Sequence, residues 1–142
     1  MRILLDTNVW ISYLLTRNDR STIRQVVQAC LAGHVELIMP EVLIAELRAS
    51  YPHLVRRINP DELDDLLAQT RQVARIPQSL PAELASYSRD PGDDYLLAYG
   101  LLLEADYLVT GDRDLLALGQ VAQLRIVTPA TFRRLLEEQG RA

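Results

Sequence analysis

The sequence predicts an α/β fold: a parallel sheet with helices packed on both faces. Short apolar runs, "RILLD", "VELIM", "DYLVT" and "LRIVT", alternate with longer segments of helical period. That alternation is the pattern of repeated strand–helix–strand units. Helix-boundary residues fall between the segments, with Ser21 before one helical run, Gly33 after it, and Pro at positions 40, 60 and 129. No linker, repeat or low-complexity stretch interrupts the pattern, so residues 1–142 read as one domain of ordinary size.

"RILLD" reads as a short buried strand, and "TNVWISYLLTR" as a helix that Thr7 or Asn8 would cap. "STIRQVVQACLAG" is a second helix, with Ser21 as N-cap and Gly33 as terminator. "VELIM" follows as a strand, and Pro40 opens a helix through about Ser50. Asn59-Pro60 begins the next helix, "PDELDDLLAQTRQVA", with Leu63, Leu66 and Leu67 on one face. "ARIPQSLPAELASYSRDPG" is irregular and mixes a short strand, a helical turn and a loop. Then come the helix "DDYLLAYGLLLEA" from Asp93, the strand "DYLVT", the short helix "DLLALG", the strand "LRIVT" and a last helix from Pro129.

A 49% hydrophobic content is enough for a sizeable core. No apolar run approaches the roughly 18 residues of a membrane span, and "MRILLDTN" has too short an apolar stretch for a signal peptide. The single cysteine, Cys30, excludes an internal disulfide framework and a multi-cysteine zinc site, and "RQVVQACLAG" reads as a buried helix face. The simplest compartment is the cytoplasm. A net charge of −4 argues against a generally basic nucleic-acid surface, although an acidic metal site lowers that sum without touching a binding rim. All 15 basic residues are arginine. The absence of lysine removes Schiff-base chemistry and the P-loop lysine, and leaves guanidinium forks that grip phosphate in bidentate fashion.

Four acids stand at four structural breakpoints. Asp6 ends the first strand, Glu46 lies inside "PEVLIAELRAS", Asp93 opens a helix and Asp112 lies in the turn "VTGDRD". In a parallel α/β sheet, strand C-termini and the helix starts beside them share one edge, where ligands bind. Each acid also has an ordinary explanation. Asp6 would cap a helix, Asp93 and Asp94 would favour a helix dipole, and Asp112 and Asp114 would shape a turn and cap "LLALG". Glu46 has Val42, Leu43 and Leu47 as helical neighbours, and a carboxylate beside an apolar face is expensive to bury unpaired. Together the four suggest a carboxylate site for Mg²⁺ or Mn²⁺ and phosphoryl chemistry. Asn8 and Thr110 add polar groups that would hold carboxylates or waters, or would serve only as cap and strand-end residues.

The stretches "LLDTNVWIS", "LIAEL", "RDPGDDYLLA", "ADYLVTGDRDLLAL" and "IVTPATF" resemble those of the PIN domain family. The resemblance runs from Arg2 to about Leu136, and is nearest to the bacterial and archaeal branch of VapC-like toxin components of toxin–antitoxin systems. It implies a three-layer α/β/α fold and a ribonuclease dependent on Mg²⁺ or Mn²⁺. The implied catalytic and metal-binding acids are Asp6, Glu46, Asp93 and Asp112, with Asp114 a less regular further acid and Asn8 and Thr110 lining the site. It further implies an antitoxin that blocks the site, and homodimers. The family stretch before the third acid reads Cys-Arg-Asp-Pro-Lys-Asp, whereas this chain has Ser88 and Gly92 at the Cys and Lys positions, which removes one phosphate contact.

The resulting expectation is an endoribonuclease that cuts single-stranded RNA and leaves a 5′-phosphate. Arg89 and Arg113, beside the acidic loops, are the candidates for holding flanking phosphates. Asp93 heads a stripe of Leu96, Leu97 and Gly100, and Asp94 one of Leu97, Ala98 and Leu101, so periodicity alone does not separate them. The family pattern selects Asp93 as ligand and leaves Asp94 in support. Two rival readings remain: a non-catalytic PIN-fold binding module, and a metal-dependent hydrolase of small phosphate esters. An aspartyl-phosphate mechanism wants a second Asp two residues after the first, where this chain has Asn8.

Overall fold

Strands form where the apolar runs are unbroken. A computed structural model of the chain describes residues 1–54, 56–77 and 94–140. The strands are β1 (Arg2–Leu5), β2 (Glu36–Ile38), β3 (Tyr107–Val109), β4 (Gln120–Val121) and β5 (Leu124–Val127). The helices among the described residues are α1 (Thr7–Leu15), α2 (Thr22–Leu31), α3 (Glu41–Leu54), α4 (Pro60–Val73), α5 (Asp94–Leu102), α6 (Arg113–Leu118) and α7 (Pro129–Glu138). The five strands make one sheet in the order β2-β1-β3-β5-β4. The pairs β1–β2, β1–β3 and β3–β5 are parallel.

Ile3, Leu4 and Leu5 are all fully buried. Consecutive strand residues point to opposite faces, so both faces of β1 are covered. Leu4 meets α5 at Gly100, where an added Cβ would sit 3.2 Å from Leu4 Cδ1 and 2.8 Å from Leu124 Cδ2. The other layer is built from α1 and α2, with α3, α4 and α7 packed against them. Trp10, Tyr99 and Phe132 are the largest fully buried side chains.

Most boundaries follow local chemistry. Ser21 accepts from the Arg24 N–H, Asn59 from Glu62 and Thr128 from Thr131, each as an N-cap. Gly33, at φ +85°, closes α2 with His34 N–H bonded to Ala29 O and Gly33 N–H to Cys30 O, the paired bonds of a Schellman turn. Cys30 is fully buried, and burial pushes its thiol up to about 12, which leaves it an inert core residue.

Four expectations are corrected. The N-cap of α1 is Asp6, as the ordinary reading of that acid had it, and not Thr7 or Asn8. Helix α3 runs past Ser50 to Leu54 with Pro52 inside it, and Leu54 O accepts from the Arg57 and Ile58 N–H groups to close its end. Helix α5 stops at Leu102 instead of Ala105, because Glu104 takes the left-handed conformation (φ 55°). Its turn has the same bonds as that after α2, Ala105 N–H to Gly100 O and Glu104 N–H to Leu101 O, without the glycine that would announce it. The sheet also carries an antiparallel edge strand that the pattern did not predict. β4 pairs with β5 through a two-residue turn in which Ala122 has φ 51°, a position usually marked by Gly or Asn. The irregular segment contributes a parallel bridge from Arg75 to Ile38. Among the described residues no helix is long and apolar enough to cross a membrane.

The contact at Gly100 sets how closely α5 lies on the sheet. Gly100→Val would drive branched atoms into fully buried Leu4 and Leu124. The expected cost is about 1–3 kcal/mol, read as a lower urea midpoint at unchanged slope.

Candidate active site

The chain leaves β1 at Asp6 for connections leading to β2 on one side, while β3 lies on the other. The gap between the carboxyl ends of β1 and β3 is therefore the topological switch point, where open α/β sheets place their ligands. Leu5 is in register with Val109, and the Asp6 N–H continues the ladder to Val109 O at 2.9 Å. The next residues, Asp6 and Thr110, thus emerge side by side.

Both are buried, Asp6 at 5% exposure and Thr110 at 0%. Thr110 Oγ1 donates to Asp6 Oδ2 at 2.6 Å and accepts from the Asp112 N–H at 2.9 Å. One hydroxyl thereby ties the first acid to the turn carrying the fourth. Although Asp6 occupies the N-cap position of α1, its side chain makes none of the usual capping bonds to the second or third helical N–H. Burial raises the Asp6 carboxyl above its ordinary value. The Thr110 hydroxyl and Thr7 backbone bonds pull it back, and the nearby Asp112 and Glu46 charges push it further up.

Glu46 projects from α3 at the edge of its buried stripe, between buried Leu43 and Leu47, and is half-buried. Its Oε2 accepts from Thr7 Oγ1 at 2.8 Å and from Tyr95 Oη at 2.9 Å. Asp112 is half-buried and caps α6, its Oδ1 accepting from the Asp114 N–H at 2.8 Å and the Leu115 N–H at 3.3 Å. Asp114 and Arg113 are exposed in the first turn of α6, and Arg113 forms no ion pair among the described residues. Asn8 is exposed in the first turn of α1. Asp94 is the first residue of α5. Asp93 and Arg89 lie outside the described residues, as do Ser88 and Gly92.

Asp6, Thr110, Asp112 and Glu46 are therefore brought to one edge. Among the described residues no three Asp, Glu, His or Cys side chains close into a ready-made metal cage. The sequence reading missed Thr7 as a partner of Glu46, and Tyr95 altogether. The signal for both was Glu46 itself: an acid beside an apolar face demands donors, and hydroxyls from neighbouring elements are the cheapest to supply.

Among curated proteins, none matches this chain. Among solved structures, the chain is similar to one from the crystal structure of VapBC2 from Rickettsia felis bound to a DNA fragment from its promoter. The likeness has a TM-score of 0.58 at 13% identity and covers 90% of this chain and 98% of that one, so it concerns the fold. The sequence model of the PIN domain family matches residues 2–114. That match extends from the start of β1 through Asp112 and Asp114, and the chain belongs to the PIN domain family.

Proposed function

We propose that this protein is a Mg²⁺- or Mn²⁺-dependent endoribonuclease that hydrolyses phosphodiester bonds of single-stranded RNA, and that it is the toxin of a type II toxin–antitoxin pair. The observation that carries the reading is Asp6, an acid buried at the switch point whose ionisation is opposed first by that burial and then, more weakly, by the charges of Asp112 and Glu46. Uncompensated, such a cluster destabilises the fold, and a divalent cation is the natural compensation. The oxygen donors suit a hard cation. Mg²⁺ keeps several waters and is often held by one or two carboxylates directly, so a wide arrangement serves it.

Asp6, Glu46, Asp93 and Asp112 would hold the cation, with Asn8, Asp94, Thr110 and Asp114 in support. When bound, it would acidify a water and offset charge on the leaving oxygen. The chain's own part is positioning. Thr110 fixes the orientation of Asp6 and the Asp112 turn together. Arg113, exposed beside Asp112, and Arg89 would grip the phosphates flanking the cleaved bond. The family pattern selects Asp93 over Asp94 as ligand, and burial along α5 divides between the two stripes. Leu96 and Gly100, three and seven residues after Asp93, are buried while Leu97 and Leu101, at the same offsets from Asp94, are half-buried, but at offset four Ala98 is buried and Leu97 is not. The fold likeness to a toxin–antitoxin complex supports an antitoxin partner, with homodimers and a cytoplasmic setting part of the same reading.

Asp6→Asn is expected to abolish Mn²⁺-dependent cleavage of a mixed single-stranded RNA pool, with EDTA-treated wild type as the blank. Its metal-free stability should move the opposite way. The folded Asp6 carboxyl lies above the ordinary 3.8, so the folded protein binds more protons between 3.8 and that higher value. Stability is therefore lost as pH rises through this window, and Asn, which still accepts from Thr110, avoids the loss. Metal-free melting at pH 7 should place Asp6→Asn above wild type, with the gap closing near pH 3.8; wild-type cleavage by the variant removes Asp6 from the site.

Asp93→Asn should lose most activity and Mn²⁺ affinity, and Asp94→Asn about tenfold or less. The reverse ranking in parallel cleavage assays would mean that the face of α5 is misassigned. An acidic site that accepts a cation also accepts a guanidinium, so the antitoxin is expected to insert an arginine near Asp6 and Asp93. Co-expression with the product of the adjacent gene should suppress both toxicity and cleavage, and an adjacent product that fails to bind ends the toxin–antitoxin assignment.

A further inference from the structure

Among the described residues, the Glu46 carboxylate is gripped on one oxygen only. Thr7 Oγ1 and Tyr95 Oη both donate to Oε2, at 2.8 and 2.9 Å, and no described residue donates to Oε1. Two donors saturate the lone pairs of Oε2 and leave those of Oε1 for a ligand. The grip joins three elements. Thr7 is the first residue of α1, Glu46 sits midway along α3, and Tyr95 is the second residue of α5. Glu46 thus reaches the strand edge held from both sides, by the residue after Asp6 and by the residue after Asp94.

Tyr95 is built for such a role. It is 8% exposed, and Tyr99, one helical turn on, packs edge-to-face against its ring, with centroids 6.4 Å apart and planes at 88°. A phenol is protonated throughout the neutral range, and this one is placed as a donor to Glu46 Oε2 at 2.9 Å. A loose Glu46 would sample several rotamers, and a carboxylate that must be ordered by its ligand binds that ligand more weakly.

We propose that Tyr95 is a positioning residue of this site: with Thr7 it clamps Glu46 Oε2, so that Oε1 is presented, already oriented, to a divalent cation shared with Asp6. The proposal rests on the metal-dependent reading above, and its test is direct binding of Mn²⁺ alone to the purified full-length chain, followed by the spectroscopic signal of free Mn²⁺. Tyr95→Phe keeps the ring and its contact with Tyr99 and removes only the donor. It should weaken Mn²⁺ binding about 10–100-fold, the usual effect of losing a partner that orients a ligand, with little change in metal-free melting temperature. In a Glu46→Ala background the same substitution should change Mn²⁺ affinity no further, because Tyr95 acts through Glu46. Thr7→Val removes the other donor and should show the same loss and the same dependence on Glu46. If Tyr95→Phe unfolds, Thr7→Val carries the test alone.

Wild-type Mn²⁺ affinity in Tyr95→Phe, or an equal loss with and without Glu46, overturns the positioning role while leaving the metal reading intact. A wild-type chain that binds no Mn²⁺ overturns the metal reading and this proposal with it.

Discussion

The register between β1 and β3 is the constraint on which the rest depends. Pairing Leu5 with Val109 brings Asp6 and Thr110 out of the sheet as neighbours, and the 2.6 Å hydrogen bond between them stabilises a carboxylate buried at 5% exposure. A slip of one residue would turn every side chain of β1 to the opposite face. Such a slip would exchange Leu4, which meets Gly100 of α5, for residues that belong in the other layer. The packing of three fully buried residues on β1 thus fixes the site, and the site adds no strength to the packing. Asp6 is tolerated there because the hydrophobic contacts on both sides are large enough to absorb its cost.

The other acids are held by a different logic. Among the described residues, Glu46 and Asp112 each spend one oxygen on the protein: Oε2 on Thr7 and Tyr95, and Oδ1 on the first turn of α6. Bonds of this kind orient a carboxylate without consuming it. For Asp112 the ordinary explanation, a helix cap, holds, and it is compatible with the proposed functional one. A helix cap is also the simplest way to fix an acid at the start of a helix beside the switch point. Thr110 links the two arrangements, donating to Asp6 and accepting from the Asp112 backbone, so displacement of one acid is felt by the other.

Local chemistry made much of the fold legible. Apolar runs long enough only for strands, a Ser, Asn or Thr before a helix, and a Gly after one are events within a few residues, and the helices at Ser21, Asn59 and Thr128 begin where those residues stand. Legibility failed where an unexpected residue took a special conformation. Glu104 and Ala122 adopt positive φ without being Gly or Asn, so the end of α5 and the β4–β5 hairpin carried no mark. Asp6 supplanted Thr7 and Asn8 at the start of α1 because strand pairing through Val109 fixes where the chain can first turn.

The sequence by itself determined the α/β class, most helix starts, and which acids stand at breaks between elements, because these follow from periodicity and from bonds a few residues long. Only the tertiary structure decided which groups meet. Thr110 reaches Asp6 across 104 positions of chain, and Tyr95 reaches Glu46 across 49. Such contacts are set by strand order, register and the distance of α5 from the sheet. No local pattern records them, since a threonine or tyrosine near a helix start looks the same whether or not a carboxylate arrives beside it.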